Sequence, residues 1–443
     1  MATSLNIKID YLTLLKFALP TIIANIFMSM FTTLDGIFVS NVVGTDALSA
    51  VNIVMPFLMI VIALGTMIGT GGSANVAAQI GEKKEREAKE TFSMLIAFCF
   101  ITSLIISICA LVYREPLLYL LGANDVIFEY SMTYAIPLFC IAPLALLGIA
   151  FQTFFIAAGK PALGMAFSVI GGLINLVLDY FLIVVMNMGV LGAALATGIG
   201  YSFPAVAGLL YFTFCRKGSL CFVKPKIKGK VLLQTLTNGS SEMVAMLSSG
   251  ITVIMMNNIV MGLVGEDGVA AISILNYSMT LLTSIYIGYA IGVSPVISFN
   301  FGAKNTDNLK KIHSVNLRMI ILASVMMYAL GLLLRKPIIS IFADSASDVY
   351  ALANEGFILF SIGFLFMGFN MYTSALFTAL GNGKVSAGIS FCRVLLFLTI
   401  ALLTLPKLFG INGLWMAMPI AEFLGVFLGI VFIMKYKEKY HYA

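Results

Sequence analysis

The sequence predicts an all-α membrane protein in which twelve transmembrane helices form two parallel-repeat lobes of six around a central cleft. Three observations predict it. The 443 residues are 60% hydrophobic and only 10% charged, with a mean hydropathy of +1.03, whereas soluble domains are roughly 25% charged. The apolar residues gather into twelve runs, each reaching the about 17–25 residues that cross a bilayer core. The chain also repeats itself at an interval of 221 residues, since Gly44 and Gly265, Gly81 and Gly302, Pro116 and Pro337, and Gly189 and Gly410 sit in matching surroundings.

The runs lie near 12–40, 47–72, 91–113, 127–157, 162–186 and 190–214, then near 231–261, 269–297, 312–334, 349–379, 385–405 and 412–434. Several are longer than a core of about 30 Å requires, so tilted or bent helices that protrude into water are expected. An even number of spans puts both termini on one side. With the termini in the cytoplasm, twenty of the 26 Lys and Arg fall in inner segments and only Arg114, Arg335, Lys336 and Lys407 in outer ones, with Arg318 and Arg393 inside spans. That bias predicts a multi-pass protein of the inner (cytoplasmic) membrane with both termini inside.

Six spans per repeat leave the two copies in the same orientation, an arrangement that encloses a cleft and allows one half to rock against the other. The expected domains are 1–215, the first lobe, and 231–443, the second, joined by a basic cytoplasmic linker over 216–230 that is solvated and lies near anionic lipid. The net charge of +6 says little about nucleic acid, because orientation in a bilayer depends on where Lys and Arg lie and not on their total, and no nucleic-acid partner is expected. The six cysteines show neither CxxC spacing nor partner histidines, so no disulfide or zinc framework is indicated.

In the first span, Pro20 interrupts a long helix and Asp35 follows fifteen residues on. A carboxylate at the bilayer centre costs at least about 2.5–3.5 kcal/mol unless it is paired, protonated or wet. Its stripe back through Phe31 and Met28 to Pro20 is too polar and too kinked for plain lipid contact, and is expected to line a cavity, with Pro20 as a hinge. The alternative is an Asp solvated at the membrane boundary.

In the fifth span, Asn175 and Asp179 are four apart and share a helical face with Gly171 and Gly172. Carboxylate and amide oxygens there fit either a hard cation such as Na⁺ or a protonatable site, and the alternative is a buried polar contact between helices. In the seventh span, Glu242 shares a face with Met246, Met256 and Asn257. A carboxylate among adaptable thioethers suits an organic cation, while a solvated Glu near a helix start is the alternative. Arg393 and Glu422, in the last two spans, are expected to pair. Neither first-lobe acid recurs in the second lobe, where Asp35 maps to Met256 and Asp179 to Ala401. The sequence holds no P-loop, GxSxG elbow or HExxH motif, so no enzyme and no cofactor is expected.

These residues resemble the multidrug and toxic compound extrusion family, MATE, over essentially the whole chain. Pro20 with Asp35, and Asn175 with Asp179, are similar to the bent first helix and first-lobe cation site of its DinF-like branch. Glu242 resembles the second-lobe acid of NorM-like members, but the aspartate those members carry on the tenth helix is missing. The resemblance implies a monomeric antiporter, driven by H⁺ or Na⁺ through Asp35, Asn175 and Asp179, that exports amphipathic or cationic compounds held by Glu242, Met246, Met256, Asn257, Met28 and Phe31. The alternative within transport is a flippase for a lipid-linked precursor.

Overall fold

A bilayer offers no partner to an open backbone, and a helix satisfies its own N–H and C=O groups, so each span is helical. The computed structural model describes residues 5–42, 45–125, 127–215 and 218–442, except the side chains of 32–42 and 45–48. Among them there is no strand. The first six spans are Tyr11–Val42, Thr45–Gly81, Glu85–Val112, Phe128–Ala157, Pro161–Asp179 with the π-helical turn Tyr180–Val185, and Gly189–Phe214. The short helix Arg114–Leu120 links the third span to the fourth.

The next four are Gly229–Val264, Glu266–Gly302, Thr306–Ser340, and the pair Asp348–Ser361 and Phe364–Ala379, bent by 51°. Beyond them, helix continues for 58 residues from Gly383 to Tyr440, through a π-helical turn at Cys392–Phe397. At ~1.5 Å per residue that is about 87 Å, nearly three times a core of ~30 Å. Gly410 breaks it with φ 58° and ψ −137°. The eleventh span is therefore 383–409 and the twelfth 411–440.

The backbone repeats as the sequence does. Left-handed residues recur as Lys83 and Lys304, Gly159 and Gly381, and Gly189 and Gly410, at offsets of 221, 222 and 221. Helix boundaries follow, with Thr45, Gly81 and Glu85 matched by Glu266, Gly302 and Thr306.

The lobes meet through glycines. A Cβ on Gly81 would lie 2.1 Å from the Phe299 carbonyl and one on Gly302 2.0 Å from the Ala78 carbonyl, a reciprocal contact across a pseudo-twofold axis. Gly239 of the seventh span meets the Met67 carbonyl in the same way. These contacts lie in the halves of the spans nearest the termini. One hydrophobic core runs through both lobes on that side, including Leu14, Val76, Val293 and Val296. A separate core, around Val260, Leu275, Phe357 and Trp415, fills the far half of the second lobe. The cleft is thus sealed at the end that carries the termini.

The first span passes through Pro20 as continuous helix, and just beyond it Ile22 packs its backbone into the space left by Gly288 of the eighth span. Proline removes one backbone hydrogen bond there. The linker is docked in part: residues 220–223 find a place in the first lobe, while Lys224, Pro225, Lys226 and Ile227 are exposed as expected of a solvated connector. Leu220 and Cys221 are buried, Phe222 stacks on Phe92 with ring centroids 5.2 Å apart, and the Val223 amide donates to Ser93 Oγ at 3.0 Å. Arg216 and Lys217 lie outside the described residues.

Candidate functional site

The fifth span builds the site from its spacing. Asn175 and Asp179, one turn apart, meet directly, and Asn175 Nδ2 donates to Asp179 Oδ2 at 3.1 Å. Asp179 is fully buried. The π-helical turn begins at the next residue and admits one extra residue, which rotates the side chains beyond it relative to the Asn175–Asp179 face.

Glycines bring the neighbouring spans close. Phe31 of the first span fills the space over Gly172, where a Cβ would lie 2.2 Å from the ring, and a Cβ on Gly200 of the sixth span would lie 2.7 Å from Asn175 Cβ. Between the first, second, fourth, fifth and sixth spans they leave a cavity of about 140 Å³, lined by Met28, Phe31, Gln152, Asn175, Thr197 and Tyr201 among others. Thr197 Oγ1 is buried there without a hydrogen-bond partner. The cavity therefore has the Asn175 amide in its wall, with the Thr197 hydroxyl and the Asp179 carboxylate buried behind the lining, oxygen donors of the kind a monovalent cation or a shared proton uses. Among the described residues no three His, Cys, Asp or Glu side chains converge. Asp35 lies in the first span four residues beyond Phe31, and its side chain is outside the described residues.

The residues expected around an organic cation are spread over two places. Met28 and Phe31 belong to the first-lobe cavity. Glu242 and Met246, half-buried, stand on the seventh span, Glu242 within a turn of the Gly239 seal and in electrostatic range of Arg393. Met256 is 4% exposed and packs in the second-lobe core with Val260 and Leu275, away from Glu242. One helical stripe faces different neighbours at different heights. Near the termini the seventh span faces the second span, and farther out its own lobe. Asn257 is half-buried, and its Oδ1 has no hydrogen-bond partner.

Arg393 and Glu422 meet. Arg393 Nη1 donates to Glu422 Oε1 at 2.7 Å, with the residues 8% and 5% exposed. Sequence reasoning missed a third member, Asn370 of the tenth span, whose Nδ2 donates to Glu422 Oε2 at 2.6 Å and to its carbonyl at 2.8 Å. An amide within an apolar run was the available signal, whereas for Thr197 there was none. Removing one partner strands a buried charge, so Arg393→Met or Glu422→Met alone is expected to cost about 3–5 kcal/mol and the double substitution to regain most of it. Thermal melts of the three purified variants check this, and a double variant as unstable as the summed singles refutes the pairing energy.

Comparison with known proteins adds three findings. A family model described as MatE matches residues 20–181 and again 242–403, two copies offset by 222. The multidrug export protein MepA of Staphylococcus haemolyticus is 24% identical over 436 residues, covering 96% of this chain and 94% of that protein. Two solved structures share the fold. A multidrug resistance MATE family transporter of the MOP superfamily in an outward-facing conformation gives a TM-score of 0.89 at 21% identity, covering 97% of this chain and 96% of that one. A MATE in the straight conformation gives 0.89 at 22% identity, covering 96% of each chain.

Proposed function

The chain belongs to the MatE family, and from that premise we propose that it is a cation-coupled antiporter of the cytoplasmic membrane that exports amphipathic, often cationic compounds by alternating access. The observation that carries this reading is the first-lobe cavity, whose wall residue Asn175 is hydrogen-bonded to the buried Asp179 and which has the buried Thr197 hydroxyl in its lining, so that oxygen donors lie behind the wall of a space large enough for a small cation. Asp35, on the Phe31 stripe of the first span, is the proposed second carboxylate. Two carboxylates close together in low dielectric hold one proton or one Na⁺ between them more readily than two bare charges. MepA's description as a multidrug exporter supports the substrate class. The seal at the termini end, with the termini in the cytoplasm as the Lys and Arg bias favours, corresponds to an outward-facing state.

The flippase reading loses ground on the basic residues within the spans. Arg393 is engaged by Glu422, and Arg318 donates to Tyr11 Oη at 3.0 Å at an exposed site, so neither supports a basic cradle for an anionic headgroup.

Efflux of a fluorescent cation from proteoliposomes, with proton and sodium gradients imposed separately, tests the proposal. Transport that responds to neither gradient, but to a lipid-linked precursor, defeats it. In the same assay Glu242→Gln is expected to weaken export of cationic dyes about 5–10-fold, the effect of losing about 1–1.4 kcal/mol of binding, and to spare neutral compounds. Equal losses for both classes remove Glu242 from the substrate site.

A further inference from the structure

The first-lobe cavity has a counterpart in the second lobe, and there the space is taken. Gly148 and Gly171, carried forward by the 222 residues that relate Gly159 to Gly381, reach Asn370 and Arg393. Tyr201, carried forward by the 221 that relate Gly189 to Gly410, reaches Glu422. All three first-lobe residues line the cavity, and all three second-lobe residues belong to the Arg393–Glu422–Asn370 network.

The correspondence holds in space as well as in number. Cβ atoms on Gly148 and Gly171 would lie 3.5 and 3.1 Å from the Pro204 ring. The residue 221 beyond Pro204 is Gly425, and a Cβ there would lie 2.8 Å from Asn370 Nδ2 and 3.3 Å from Arg393 Cγ. Two glycines facing a proline in one lobe have become two long polar side chains facing a glycine in the other. The exchange conserves packing, and it swaps an open cavity for a guanidinium.

We propose that Arg393 is a resident cation: its guanidinium occupies the second lobe's own cation position, clamped by Glu422 and Asn370, and leaves exchange of a mobile cation to the first lobe. The clamp suits a cation that stays. Glu422 spends both oxygens, one on Arg393 and one on Asn370, within a shell where Asn370 is 0% exposed. Release of the guanidinium is prevented by its covalent stem, so the lobe carries the same charge in every state of a cycle. A group with no differential affinity between states cannot drive a change between them. The clause about exchange rests on the cation-coupled reading above, while the occupancy of the site by a cation does not.

Chemical rescue separates the two. Arg393→Ala empties the position and leaves Glu422 and Asn370 facing it. The purified variant is expected to melt below the wild type and to gain at least about 2 °C, saturably, with low millimolar guanidinium chloride. Choline chloride at equal ionic strength should give no gain. The wild type and Arg393→Ala/Glu422→Gln should not respond, because one has no vacancy and the other has lost the carboxylate that bonds the guanidinium directly, Glu242 acting on it only through space. A folded Arg393→Ala that ignores guanidinium, or a double variant that responds equally, overturns the proposal. If Arg393→Ala does not fold, Arg393→Lys and Arg393→Gln decide. A folded Lys variant beside a failed Gln variant supports a cation at that position, and equal behaviour of the two overturns it. None of these melts depends on transport, so failure of the first-lobe coupling site leaves them interpretable.

Discussion

Asp179→Asn is expected to reduce gradient-driven efflux about 100-fold, toward the upper end of what a coupling free energy of about 1–3 kcal/mol carries, while the protein stays folded. The substitution is nearly isosteric, and the new amide oxygen can still accept the hydrogen bond from Asn175 that Asp179 Oδ2 accepts at 3.1 Å. What it removes is the charge. An ion gradient moves a conformational equilibrium only through a group that binds the ion differently in the two states, and an amide in a closed helical lobe neither takes up a proton nor draws a cation strongly. Asp35→Asn should have the same effect if the two carboxylates share one ion, and the double variant should be no worse than either single. Dye binding, followed by fluorescence anisotropy, should survive in all three, since the charge partner of the substrate is assigned to Glu242. Efflux at the wild-type rate, with unchanged dependence on both gradients, moves the coupling site elsewhere.

The sequence carried the architecture because length and repetition are one-dimensional properties. Apolar runs long enough to span read directly as helices, and left-handed positions such as Gly189 and Gly410 mark the same corner twice. Within one helix, partners are legible too, which is why Asn175 and Asp179 at four-residue spacing meet. Between helices the sequence gives faces without neighbours. Met256 lies on the Glu242 stripe yet packs into its own lobe, and Asn370 joins Glu422 from 52 residues away. The break between Ser361 and Phe364 in the tenth span has no counterpart in the fourth, which is one helix through Pro137 and Pro143.

The interlobe seal gives the other large expected effect. Gly302→Val places a side chain where a Cβ alone would stand 2.0 Å from the Ala78 carbonyl, and Gly81→Val does the same 2.1 Å from the Phe299 carbonyl. Both obstacles are backbone, so no rotamer change relieves them, and the lobes must part or the helices must shift. Each substitution is expected to lower efflux at least about tenfold, a population shift of about 1.4 kcal/mol or more against the sealed state. The pseudo-twofold relation makes the two losses similar. Cross-linking reads the cause separately from transport. Asn75 Nδ2 and Thr235 Oγ1 face each other across the lobes at 2.8 Å, so the pair Asn75→Cys and Thr235→Cys, in a chain freed of its six native cysteines, should oxidise readily with glycine at 302 and poorly with valine there. Gly250 and Gly262 provide the contrast, because a Cβ at either meets nothing within 4 Å. Their replacement by Ala should leave efflux and cross-linking intact and stabilise the seventh span by up to about 1 kcal/mol, the helix-propensity difference between the two residues. If Gly302→Val transports and cross-links like the parent, the lobes do not seal through this contact.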